Sequence, residues 1–144
     1  MANQDTVRLL RECNSGIKMG VNSIDQVLDK VSDEKLKQIL INNKEEHQKL
    51  GSETHRLIEE AHDEDKEPNI MASSMSWLKT NVMLAMDKND ATISDLITDG
   101  CHMGIKSLNR YLNQYKDASD SAKDITKRLI KLEENLAEEI KCFL

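Results

Sequence analysis

The sequence predicts an all-α domain: a four-helix bundle made of two helical hairpins, joined by a crossover that contains a short extra helix. Three observations predict it. Charged residues make up 32% of the 144 residues and aromatics 3%, with a single Pro and 5 Gly, the usage of a long-helix protein rather than a sandwich or barrel. Apolar residues recur at alternating spacings of three and four along four long stretches. The third observation is an internal repeat: "SGIKMGVNSIDQVLDKV" (15–31) aligns with "DGCHMGIKSLNRYLNQY" (99–115), sharing Gly16/Gly100, Met19/Met103, Gly20/Gly104, Ser23/Ser107 and Leu28/Leu112. One domain is expected over 1–144, with hairpin 1 at about 5–63, the crossover at about 64–89 and hairpin 2 at about 90–144.

Helix 1 carries Val7, Leu10, Asn14, Ile17, Val21, Ile24, Leu28 and Val31 on one seam, widened by Cys13, Gly20 and Val27. Asp5 is its expected N-cap, and Val31 its expected end. Ser32-Asp33-Glu34 then supplies a capping hydroxyl followed by acids at the positive end of helix 2. So short a break predicts an antiparallel hairpin. Helix 2 places Leu36, Leu40, Asn43, His47, Leu50, Thr54, Leu57 and Ala61 on its seam, and "HDEDKEPNI" with Pro68 ends it.

Residues 71 to 86 predict the extra helix, with Met71, Met75, Leu78, Val82 and Met86 on one face. With Trp77 these methionines offer either an adaptable partner groove or filler over the bundle. Helix 3 is expected from about Ala91 to Tyr115, with Ile97, Cys101, Gly104, Leu108, Tyr111 and Tyr115 on its seam. "KDASDS" turns the chain, in a turn expected to be about four or five residues longer than the first. Helix 4 shows Ile125, Leu129, Leu132, Leu136, Ile140 and Phe143. Glycine inside a helix costs roughly 0.5–1 kcal/mol relative to alanine. Gly16-xxx-Gly20 and Gly100-xxx-Gly104 therefore predict close packing of helix 1 on helix 3, a kink at these points being the alternative.

Several function classes are disfavoured. A net charge of −6 and the lack of a basic stripe argue against nucleic acid and anionic membrane as partners. No apolar run approaches the length that spans a bilayer, and "MANQDTVRLL" lacks a signal peptide's pattern, so a cytoplasmic protein is expected. Cys13, Cys101 and Cys142 are too widely spaced for a disulfide framework or zinc ribbon, and free thiols are expected. No phosphate loop or nucleophile–base constellation is present, which leans away from an enzyme.

The stretches "MASSMSWLKTNVMLAMDK", "DGCHMGIKSLNRYLNQYKDA" and "RLIKLEENLAEEIKCFL" resemble a group of small uncharacterised bacterial ferritin-like proteins, and helix 1 matches them more loosely. The resemblance implies the ferritin-like bundle and no established activity; a plain up-down bundle with an added helix is the alternative topology. It also implies where a di-iron centre would sit. Di-iron members of this fold use a Glu from each of two helices and Glu-x-x-His from each of the other two. Carboxylates just after the helix 1 and helix 3 glycines are replaced here by Ile17-Lys18 and Cys101-His102. Glu59-x-x-His62 lies beside the linker, and helix 4 carries Glu133, Glu134, Glu138 and Glu139 without a histidine.

The standard site is therefore read as missing, no cofactor is expected, and the first reading is a non-enzymatic structural or interaction protein, as a homo-oligomer or with another protein. The alternative is a metal-binding or thiol-redox stress protein. Counting from the turns sets Ile17 level with His47 and Cys101 level with Glu133 and Glu134. A thiolate, an imidazole and carboxylates suit zinc or iron. Against that, cysteine packs as a small hydrophobe, and His47 with Asn43 makes a buried polar pair. His55, Glu59 and His62 form a second, surface candidate on one face of helix 2, while His102 is expected at the rim.

Overall fold

The computed structural model describes residues 3–61 and 89–144. Each long helix starts at a short polar side chain that accepts a hydrogen bond from a backbone N–H three residues on, followed by an acid against the positive helix end. Helix α1, Gln4–Leu28, is capped by Asn3, whose Oδ1 accepts from Thr6 N at 2.8 Å. Asp33 caps α2, Glu34–Glu60. Asn89 caps α3, Asp90–Gln114, and Ser119 caps α4, Asp120–Ile140, which runs into a 3-10 turn, Lys141–Phe143.

Two expected caps are thus displaced: Asn3 replaces Asp5, and Asp33 replaces Ser32. Helix α1 ends three residues before Val31. The turns 29–33 and 115–119 have the same length, so the second is not the longer one. The expected short helix at 71–86, and the linker before it, lie outside the described residues.

Helix α1 packs on α2 and α3 on α4, so two hairpins form; α1 also packs on α3, α2 on α4, and α1 crosses the middle to α4. The contacts between ends set the directions. At one end Asp90, the first residue of α3, accepts from Ser32 N at 2.8 Å and Asp33 N at 2.9 Å, which fixes α3 to the α1–α2 turn. At the other end Asn3 Nδ2 donates to the Asp117 carbonyl at 2.7 Å, and Thr6 Oγ1 accepts from Ser119 N at 2.8 Å. Ala61, just past α2, lines a small hollow at this same end with Asn3 and Ser119. Helices α2 and α3 therefore run parallel. The chain passes from one end of the bundle to the other between Ala61 and Asn89, a distance of about 40 Å for the 27 residues of α2.

The buried apolar residues fall into two clusters. One, toward the chain's first residues, joins Leu9, Leu10, Cys13 and Ile17 to Leu50, Leu108, Ile125 and Leu129. The other, toward the α1–α2 turn, joins Ile24, Val27, Leu36 and Leu40 to Ile97, Cys101, Leu136 and Ile140. Two buried threonines are satisfied locally, whereas Ser94 Oγ and Thr98 Oγ1 on α3 and Asn43 Oδ1 on α2 are buried without a hydrogen-bond partner among the described residues. Thr54 Oγ1 donates to the Leu50 carbonyl at 2.7 Å and Thr126 Oγ1 to the Ala122 carbonyl at 2.8 Å, one turn back in each case. Between the clusters lies a layer of different chemistry, made by Gly20, His47, Gly104 and Glu133.

Candidate mid-bundle site

His47 projects from α2 and is fully buried; Glu133 projects from α4 and is 9% exposed. Their side chains meet in the centre, His47 Nε2 to Glu133 Oε1 at 2.8 Å. The other ring nitrogen, Nδ1, lies 3.0 Å from the Asn43 carbonyl oxygen. A carbonyl only accepts, so Nδ1 carries a hydrogen, and a second proton has to lie between Nε2 and the carboxylate. Burial alone would depress the imidazole's pKa. The Glu133 hydrogen bond, its charge and the Asn43 carbonyl outweigh that and raise it above the ordinary value. The site is a buried imidazole–carboxylate pair with both ring nitrogens engaged, its balance shifted toward the charged imidazolium.

The glycines explain how two bulky polar side chains fit there. A Cβ on Gly20 would stand 3.0 Å from the His47 ring, and one on Gly104 would stand 3.8 Å from the Glu133 carboxyl carbon. Helices α1 and α3 each give up a side chain where α2 and α4 insert theirs. Helices α1 and α3 do pack on one another, as expected, but what Gly20 and Gly104 make room for is the His47 and Glu133 side chains. Gly16 faces Leu129, and Gly100 has no neighbour within 4 Å among the described residues.

Cys101 is buried on α3 beside the Glu133 carboxylate. Burial, then the carboxylate's charge, push its pKa far above the ordinary thiol range, so the thiolate is suppressed. Cys13 is pushed up to about 12, by burial first, while its contact with Thr126 Oγ1 at 3.1 Å opposes the shift. Cys142 is exposed.

Of the four mid-bundle candidates, His47, Cys101 and Glu133 come together and Glu134 does not: it is exposed on the outer side of α4. Ile17 is not level with His47 either. It packs toward Gly51, one turn further along α2, and Gly20 takes the place beside the imidazole. Of the surface candidates, His55 and Glu59 pair at 3.0 Å on the exposed face of α2, and His62 lies outside the described residues. His102 is exposed. Among the described residues, no three His, Cys, Asp or Glu side chains are arranged to hold a metal ion. No described helix is long and apolar enough to cross a membrane.

Above the ion pair, α1 and α3 part to form a groove of about 360 Å³. Its walls carry Gly16, Gly20 and Ser23 from α1 and Gly100, Gly104 and Ser107 from α3, and its floor includes Leu129 and Leu136. At one end stand Glu12 and Tyr111, a pair the seam pattern did not single out. Burial raises the Glu12 carboxyl pKa while the Tyr111 hydroxyl, hydrogen-bonded to it, pulls the other way. Tyr111 was visible as a seam residue, but Glu12 falls off the period and gave no signal. Comparison of the chain with protein-family models, with curated proteins and with solved structures finds no match.

Proposed function

We propose that the chain is a small bacterial ferritin-like bundle that works without a di-iron centre, as a non-enzymatic structural or interaction protein of the cytoplasm. The observation that carries this reading is the His47–Glu133 pair. It fills the middle of the bundle, where the resemblance would put metal, and it commits both imidazole nitrogens to protein acceptors. A di-iron centre would need four carboxylates and two histidines around that point, and the residues here do not fit it. The positions of the missing carboxylates hold Ile17-Lys18 and Cys101-His102. The parallel run of α2 and α3 supports the ferritin-like arrangement over a plain up-down bundle.

With both imidazole nitrogens engaged, the chemistry left to such a protein lies on its outer surface: a second copy of the chain or another protein. A second reading, zinc or iron binding or thiol redox chemistry at His47, Cys101 and Glu133, is favoured by the convergence of those three side chains, and opposed by the suppressed thiolate. Elemental analysis separates the two. Tag-free protein, purified reduced and without chelator, is assayed before and after loading with iron or zinc, alongside its mass by light scattering. The proposal expects no near-stoichiometric metal. Stoichiometric metal that disappears in His47→Ala and Cys101→Ser overturns it in favour of the second reading.

A further inference from the structure

We draw no further inference here: the strongest candidate, the apolar groove between α1 and α3 above the His47–Glu133 pair, carries nothing, because nothing in the structure shows what covers it.

Discussion

Replacing His47 and Glu133 by leucine, singly and together, separates the energetics of the pair from those of the groups it leaves behind. His47→Leu leaves the Glu133 carboxylate, 9% exposed, without its counter-charge and beside the buried Cys101 thiol. Removing one partner of a buried ion pair costs about 3–5 kcal/mol. Glu133→Leu leaves an imidazole with no exposed surface that sheds its proton and becomes neutral, so the loss is that of one unsatisfied buried nitrogen, about 1–3 kcal/mol. The double variant buries leucine in both places, in a layer bounded by Ile17, Leu129, Leu136 and Leu40, and is expected to be as stable as the parent or more so. The singles thus sum to a loss of about 4–8 kcal/mol, while the double loses nothing. Urea unfolding at pH 6, with and without chelator, measures all four proteins, which should share one m-value. Two results refute the reasoning: a double variant that equals the sum of the singles within about 0.5 kcal/mol, or a His47→Leu less damaging than Glu133→Leu.

Three further outcomes follow from the same geometry. The His47 pKa is raised in the folded protein, so its contribution to stability is fully present below the unfolded value of 6.5 and is lost as pH rises through the folded value. A urea midpoint that falls above that pH in the parent but not in Glu133→Gln bears this out. Gly20→Ala drives a Cβ to 3.0 Å from the His47 ring and should destabilise by about 1–3 kcal/mol despite better helix propensity. Gly16→Ala meets Leu129 at an ordinary 3.6 Å and should stabilise by about 0.5–1 kcal/mol; equal effects of the two substitutions would contradict the assignment. With a thiol reagent at neutral pH, exposed Cys142 should react at once, and Cys13 and Cys101 only on unfolding; rapid modification of Cys101 would favour the thiol-redox reading.

The four long helices were legible because each buries a broad apolar face, and a face of that width prints a three-four spacing that no loop imitates. Their starts were less legible. Asp5 and Ser32 are acceptable caps in isolation, but Asn3 is also held by the Asp117 carbonyl, 114 residues away, and the N–H groups of Ser32 and Asp33 are taken by Asp90. Local capping chemistry cannot see partners that distant. The mid-bundle site was half legible. His47 on an apolar seam announced a buried imidazole. Glu133 was separable from Glu134 by phase, since it follows Leu129 by four and precedes Leu136 by three whereas Glu134 faces outward. The role of the glycines was not legible, because the side chains they accommodate come from α2 and α4 and not from each other's helix.

The central claim is that a charged His47–Glu133 pair, rather than a metal, fills the middle of the bundle. The imidazole nitrogens report on it directly by ¹⁵N NMR of histidine-labelled protein. At pH 6, both His47 nitrogens are predicted to be protonated, with His47 titrating above the ordinary imidazole value and its signals unmoved by added zinc. A neutral ring with a bare Nε2 at that pH, or His47 signals that shift stoichiometrically with zinc, would contradict the account.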